Sequence, residues 1–338
     1  MKNTKKVLIK PSTIILLVAC ALFIVFIPLR YSGYNLMLYN TALIYAIVVF
    51  GLSLMLGMGG QLTFAGLAFM GAGTFYVANL CSGRWGFWVN NSLALITTPI
   101  VTGLLGFLIG SVLLKLKGTY FTFSTIALVQ VAYSFYQNSR PISGGPDGIS
   151  NIAPLRILGF EFNNYKRWFY LLVVLVIIVA LIIERIRRTR FGRSLAAIRD
   201  NETAALTLGI NVYRTKVIAF AITAMLGGLA GGLYAMQGRF AGSDMFTFER
   251  STLFIIMGMI GGINNTFGVV IGSILVAMLP EWLRSLQRYL QLIYGLSVIV
   301  LMIFMPMGLA GIGSEMCKRI KRKITGIHAK KALEEAKK

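Results

Sequence analysis

Acidic side chains are scarce in this sequence, which has 11 Asp and Glu against 33 Lys and Arg among its 338 residues. Charged residues make up 13% of the chain and hydrophobic residues 57%, whereas a soluble domain is roughly 25% charged. This balance excludes an ordinary soluble protein and predicts a polytopic membrane protein. A net charge of +22 would favour nucleic acid as the partner of a soluble chain. In a membrane protein, excess Lys and Arg on cytoplasmic loops explains it, so no nucleic-acid partner is expected.

Residues that carry chemistry are also few. The single histidine, His328, lies in a charged tail, and the three cysteines have neither metal-ligand nor redox spacing. No Gly-Lys dipeptide occurs, so the chain has no Walker A loop to hold a nucleotide phosphate. The sequence shows no nucleophile–base set. We therefore expect no catalytic residues, no metal site and no cofactor bound by this chain, and a membrane enzyme is disfavoured.

Apolar runs without Asp, Glu, Lys or Arg predict the membrane spans, each of which needs about 20 apolar residues. The first run, at 11–29, continues past Cys20, so it predicts a span rather than a cleaved signal peptide. The run at 31–83 is long enough for two spans, with a break near the glycines at 57–60. Single spans are predicted at 85–114, 118–139, 168–183, 217–238 and 289–305.

The run at 251–280 decides the number of spans, because it is long for one span and short for two. Basic segments at both chain ends predict that both ends are cytoplasmic, which requires an even number of crossings. We therefore predict two short, broken helices there and about ten spans in all, in an all-α bundle. The predicted parts are a cytoplasmic N-terminus at 1–10, a transmembrane domain at 11–314 with an external loop at 140–167, and a basic cytoplasmic tail at 315–338.

A polar segment at 184–216 interrupts the apolar chain and is predicted to be cytoplasmic. Its first half holds six arginines, which suits both the positive-inside rule and contact with lipid phosphates. Its second half, AAIRDNETAALTLGI, is spaced like a helix that ends at Gly209, where glycine can adopt the left-handed conformation. A membrane protein that is controlled by a soluble partner needs a polar segment of this kind for the partner to bind. We expect the arginine-rich front to meet lipid and residues 193–209 to meet the partner.

Three glycines in four residues break the helix in GMGGQLTF at 57–64, and Gln61 and Thr63 follow them. Irregular backbone at membrane depth is tolerated only against protein or a water-filled cavity. A lining of a transport pathway and close packing of helices both remain open. No ionisable residue lies in the middle of a predicted span, which disfavours a proton-coupled carrier. The energy for transport must then come from a partner, or transport is passive.

Four segments, in order along the chain, form a familiar set. They are GLSLMLGMGGQLTFAGLAFMGAGTF at 51–75, LKLKGTYFTFSTIALVQV at 114–131, SGGPDGI at 143–149 and FGRSLAAIRDNETAALTLGINVYRTKVIAFAITAMLGGLAGGLYA at 191–235. This set resembles the LivM-type permeases, which are inner-membrane subunits of branched-chain amino-acid ABC importers. The general importer coupling motif is Glu-Ala-Ala-x-x-x-Gly. Here Ala204, Ala205 and Gly209 keep its spacing, while Glu202 stands one position early.

The resemblance implies an all-helical fold of the type II importer permease kind in a bacterial inner membrane. It also implies a heterodimer with a LivH-type permease, two cytoplasmic ATPases that use ATP, an external substrate-binding protein and contact with membrane lipid. We expect the translocation path to include Gly57, Gly59, Gly60, Gln61, Thr63, Asn264 and Asn265. The expected ATPase-coupling residues are Arg193, Arg199, Glu202, Ala204, Ala205 and Gly209. The binding protein is expected to dock on Arg140, Gly144, Gly145, Pro146 and Asp147.

Other functions remain open at this point. Within the same importer class, the substrate can be urea or an amide, a nucleoside or a sugar. A passive channel for a small solute and an unpowered structural subunit belong to other classes. A channel has no need of the Ala-Ala-x-x-x-Gly helix, so copurification with a soluble ATPase separates these hypotheses.

Overall fold

The computed structural model describes residues 26–296 apart from residues 29, 32, 85–89, 158, 290–291 and 294. The helices are α1 (Tyr34–Leu52), α2 (Gly66–Cys81), α3 (Asn91–Leu113), α4 (Thr119–Asn138), α5 (Arg140–Ser143), α6 (Tyr165–Arg188), α7 (Arg190–Asp200), α8 (Glu202–Thr207), α9 (Val212–Gly238), α10 (Phe248–Gly261) and α11 (Thr266–Trp282). In this part of the chain the strands are limited to β1 (Arg156–Ile157) and β2 (Phe160–Glu161), which pair antiparallel. The predicted all-α fold is confirmed.

Helix α1 does not end cleanly but widens into a π-helical turn over Ser53–Met58. Such turns occur mostly as single insertions within helices and are frequent at functional sites. The chain then runs without regular structure until α2 begins at Gly66. The helix break predicted near the glycines at 57–60 is therefore confirmed.

The ambiguous run at 251–280 forms two helices, α10 and α11, separated by a short turn. Gly262 has a φ of 93°, and the Asn265 side chain caps α11 by accepting hydrogen bonds from the backbone of Phe267 and Gly268. Their 14 and 17 residues give lengths of about 21 and 25 Å, less than the roughly 30 Å of a hydrocarbon core. The prediction of two short helices is confirmed.

Within the described part of the chain, four segments are long and apolar enough to cross a membrane: Tyr34–Met58, Asn91–Leu113, Tyr165–Arg188 and Val212–Gly238. Two shorter apolar helices, Gly66–Cys81 and Thr266–Trp282, accompany them. Each predicted span that lies within the described residues corresponds to one helix. The predicted spans at 11–29 and 289–305 fall largely outside the described residues, as do the N-terminus at 1–10 and the tail at 315–338, so the total of ten stays a prediction.

Helix α9 lies at the centre of the bundle and packs closely against α2 and α3. A side chain at Gly73 would overlap the backbone of Gly228, and one at Gly228 would overlap Thr102. Thr74 donates from Oγ1 to the carbonyl of Gly231 at 3.0 Å. The glycines of α9 therefore act as a small-residue packing seam between the helices. Large buried rings, including Phe50, Phe75, Phe121, Phe169 and Phe220, fill the surrounding core.

Candidate functional site

The predicted coupling segment folds as two short helices, α7 and α8. Thr189 caps α7 by accepting a hydrogen bond from the Gly192 amide, and Asn201 caps α8 by accepting one from the Ala204 amide. Beyond α8 the chain reverses at Gly209, whose φ is 78°. The helical spacing and the terminal glycine expected from the sequence are both present, with Asn201 inserting a cap that divides the helix in two.

A salt bridge fastens this segment to the central helix. Lys216 in the first turns of α9 donates from Nζ to Oε2 of Glu202 at 2.7 Å. The Lys216 side chain is 9% exposed, whereas that of Glu202 is 42% exposed. Glu202, predicted as a coupling residue, therefore already has a partner within the chain.

The two alanines of the predicted coupling motif have different surroundings. Ala204 is exposed, but Ala205 is buried and forms a small apolar cluster with Ile198 and Val212. The expectation that both alanines face a partner needs correction: Ala205 holds α8 against the chain. Leu206 and Leu208, which the sequence analysis did not select, are 55% and 77% exposed. In the sequence, two leucines within an otherwise polar segment are the signal that could have identified this apolar surface.

Arg199 joins the predicted coupling residues to the predicted path. Its Nη1 donates to the carbonyl oxygen of Gly57 at 2.9 Å, and its Nη2 lies 3.0 Å from Oδ1 of Asp200. A Cβ at Gly60 would come within 2.7 Å of Cγ of Arg199, so a glycine with φ of 64° is required there. Leu195, one turn earlier in α7, lies against Gly59. The broken end of α1 thus rests directly on α7.

The irregular backbone after the break is held by polar side chains from two other helices. Thr122 and Thr125 of α4 bind the Leu62 carbonyl and the Phe64 amide, each at 3.2 Å. Ser251 of α10 donates to the Phe64 carbonyl at 2.8 Å. These contacts supply the hydrogen bonds that a helix would otherwise provide, which is the condition for broken backbone inside a membrane bundle.

The predicted path residues do not form one continuous surface: some have a role in local structure and others lie at the broken end of α1. Gly57 lies against Asn264, because a Cβ on Gly57 would come within 2.7 Å of the Asn264 Oδ1. Thr63 is buried, and its hydroxyl accepts from the Ala65 amide, while Asn265 serves as the cap of α11. Gln61 is partly exposed. The polar side chains of Thr63 and Asn265 are therefore used in local hydrogen bonds. None of the seven predicted path residues lines either of the two cavities described below.

The predicted docking loop is a chain reversal anchored to the bundle. Gly144 and Gly145 have φ of 80° and 68°, so they form the turn rather than its contact surface. Arg140, Pro146 and Asp147 are exposed. Asn79 of α2 donates to the Ile142 carbonyl at 2.5 Å, which ties the loop to the helix below.

Arg193 and the arginine-rich front lie on the exposed surface of the same segment. Arg193 donates from Nη1 to the Arg188 carbonyl at 2.8 Å, and Glu184 pairs with Arg187 and Arg188. These contacts leave most of the positive charge unneutralised, which suits either lipid phosphates or an acidic partner.

The cavities between the described helices include two that differ in the polarity of their lining. One, of about 430 Å³, is a cleft between α2, α3 and α4 with an almost wholly apolar lining. The other, of about 250 Å³, has an apolar wall and includes Arg250 and Glu281. Among the described residues no group of three metal-ligating side chains occurs.

Comparison with known proteins gives a consistent set of relatives. A family model described as branched-chain amino acid transport system / permease component matches residues 34–306. The chain is 30% identical over 307 residues to the high-affinity branched-chain amino acid transport system permease protein LivM of Salmonella typhimurium, covering 83% of this chain and 71% of the relative. It is also 30% identical over 318 residues to LivM of Escherichia coli K12, covering 87% and 74%.

More distant relatives include a sugar permease. The xylose transport system permease protein XylH of Haemophilus influenzae is 31% identical over 133 residues, which cover 38% of this chain and 36% of the relative. Comparison with solved structures gives no match.

A bundle of long apolar helices interrupted by a polar segment is typical of a multi-pass membrane protein. The family match over most of its length then makes the chain a member of the branched-chain amino acid transport system permease family, and it is a permease subunit of an ABC importer.

Proposed function

We propose that this chain forms part of the translocation path for branched-chain amino acids across a bacterial inner membrane. Its partners are a LivH-type permease, two cytoplasmic ATPases and an external substrate-binding protein. Both chain ends lie in the cytoplasm. The similarity to two LivM proteins named for branched-chain amino acid transport supports the choice of substrate.

The observation that carries the proposal is the contact between α7 and the broken end of α1. An ATPase that binds the surface around Ala204, Leu206, Leu208 and Gly209 can displace α7 and α8 together with the start of α9, because the Lys216–Glu202 salt bridge and the Ala205 cluster join the three helices. Arg199 then transmits the displacement to the Gly57 carbonyl. Irregular backbone from Gly59 to α2 accommodates the shift without breaking a regular helix.

The second part of the proposal concerns the docking loop and its contact with the binding protein. Arg140, Pro146 and Asp147 project from an anchored reversal, and we assign to them the contact with the binding protein. Charges on such a rim raise the association rate more than they raise affinity. Selectivity then resides mainly in the binding protein.

A competition assay tests the substrate. Cells that express the complete complex are given labelled leucine together with an excess of unlabelled isoleucine, valine, xylose or urea. We expect isoleucine and valine to suppress leucine uptake and xylose and urea to leave it unchanged. Absence of leucine uptake, with uptake of xylose instead, would replace this proposal with a sugar permease, the alternative favoured by the XylH similarity.

A further inference from the structure

A cavity of about 250 Å³ lies between α1, α2, α9, α10 and α11 and combines an apolar wall with two opposite charges. Leu67, Met70 and Met257 contribute to the wall. Arg250 of α10 and Glu281 of α11 both line the cavity. Helix α10 begins at Phe248 rather than at residue 251, as the charge-free run predicted, and this earlier start brings Arg250 into the helix.

Two tyrosine hydroxyls lie near Arg250. Its guanidinium lies close enough to the hydroxyls of Tyr45 and Tyr234 to interact with both. None of the ion pairs found within the described residues involves Arg250. A guanidinium without a carboxylate partner beside an apolar cavity is suited to bind a ligand carboxylate with two parallel hydrogen bonds.

Glu281 provides the opposite charge at the same cavity. Tyr34 donates to its Oε2 at 3.3 Å, and the exposed Arg284 lies 3.8 Å from its Oε1. Both contacts are long, so the carboxylate retains capacity to accept hydrogen bonds from an ammonium group. Arg250 and Glu281 therefore offer one site for each charge of a zwitterion, and the apolar wall offers a place for its side chain.

The cavity is joined to the docking loop by a short, bonded connection. Ile149 pairs with Ala241 through two backbone hydrogen bonds of 2.9 Å. Gln137 at the end of α4 donates to Asp244 at 3.0 Å. The segment that contains Ala241 and Asp244 continues into Met245 and Phe246, which line the cavity. A protein that docks on the loop thus acts on a wall of the cavity.

We propose that this cavity is a transient binding site for a zwitterionic α-amino acid with an apolar side chain, in which Arg250 binds the carboxylate and Glu281 the ammonium group. The site rests on the proposed function and extends it by naming where the substrate is held after the binding protein releases it. Arg250 lies in the first turn of α10 and Glu281 in the last turn of α11, so both charges lie at the helix ends that border the cavity. An arginine and a glutamate from different helices suit a ligand that carries both charges.

The test uses the complete complex in proteoliposomes with its binding protein and labelled leucine, and it measures uptake and ATP hydrolysis together. We expect Arg250→Gln and Glu281→Gln each to lower leucine uptake at least tenfold while binding-protein-stimulated ATP hydrolysis stays within twofold of wild type. Arg250→Lys keeps the charge and should retain more uptake than Arg250→Gln. Arg288→Gln removes an exposed positive charge that does not line the cavity, and it should change neither quantity.

Three results would overturn the site. Uptake by Arg250→Gln equal to that of Arg288→Gln would show that Arg250 does not hold substrate. Equal loss of uptake and ATP hydrolysis would show a role in docking or folding. Recovery of uptake in the double variant Arg250→Glu, Glu281→Arg would show that the two residues form a gate with each other. If the wild-type complex takes up no leucine, the proposed function fails first, which separates that outcome from failure of the site.

Discussion

Arg199 donates to the carbonyl oxygen of Gly57 at 2.9 Å, across 142 positions of sequence. This hydrogen bond joins the segment proposed to meet the ATPase to the point where the first long helix breaks. The two residues belong to separate groups in the sequence analysis, one assigned to coupling and the other to the path. Their hydrogen bond places the predicted coupling segment in direct contact with the predicted path.

Removal of the Arg199 guanidinium tests that connection. A hydrogen bond from a charged group contributes about 1.5–3 kcal/mol, and the Arg199 side chain is 39% exposed, so Arg199→Ala should cost near the lower end. We expect the complex to assemble but to transport several-fold less leucine per ATP hydrolysed. Arg190→Ala removes the same charge from an exposed position in α7 and should leave the ratio unchanged. Equal ratios in the two variants would exclude coupling through Arg199.

A methyl group at Gly60 should be far more disruptive than one at Gly33. Both glycines have left-handed backbone, with φ of 64° and 60°, but only the Cβ at Gly60 meets other atoms, at 2.7 Å from Cγ of Arg199. The left-handed conformation alone costs a non-glycine residue roughly 1–2 kcal/mol. Gly33→Ala should show that cost, and Gly60→Ala about 3 kcal/mol in all because it also displaces Arg199. Thermal unfolding of the purified complex measures both, and equal shifts would contradict the close contact.

Gly209 separates contact with a partner from packing within the chain. Its φ is 78° and a Cβ there meets no atom within 4 Å. A side chain at Gly209 therefore starts into open space in this chain, and Gly209→Trp should abolish copurification of the ATPases while membrane insertion persists. Gly209→Asn tolerates the left-handed backbone and is the control, which should retain most of the association. Normal copurification of the Gly209→Trp variant would remove Gly209 from the interface.

The Lys216–Glu202 pair should matter more than a surface pair of similar geometry. Breaking a fully buried ion pair costs about 3–5 kcal/mol, and because Glu202 is 42% exposed we expect Lys216→Met to cost about 1–2 kcal/mol. The 78% exposed Arg188, which pairs with Glu184 at 2.8 Å, provides the comparison, and Arg188→Met should cost less than about 0.5 kcal/mol. Thermal unfolding of both variants decides the matter, and equal destabilisation would mean that burial of Lys216 has no energetic consequence.

The positions of the helices followed from hydropathy, because a charge-free run of about 20 residues has few alternatives to a membrane helix. The two breaks, near Gly60 and at Gly262, followed from glycine and asparagine clusters, which favour turns over helices. The helix ends were less accurate, since α10 includes Glu249 and Arg250 although both are charged. Both side chains are exposed in the first turn of α10, so the helix includes them without burying their charges.

The site was harder to infer from the sequence than the fold. Thr63 and Asn265 are polar, as a pathway lining would be, but their side chains form hydrogen bonds within their own segments. Ala205 matches a docking motif but is buried. Contacts such as Arg199 with Gly57, and the shared cavity of Arg250 and Glu281, depend on how distant helices pack. A single sequence does not give the distances between helices, so it does not predict these contacts.

The most direct measurement of the central claim is accumulation of labelled leucine in sealed proteoliposomes that contain the complete complex. Internal leucine is followed with ATP and the binding protein present, and again with either one omitted. The account predicts accumulation above the external concentration only when both are present, and loss of that accumulation in Gly209→Trp. Leucine that merely equilibrates across the membrane without ATP would contradict it and identify a passive channel.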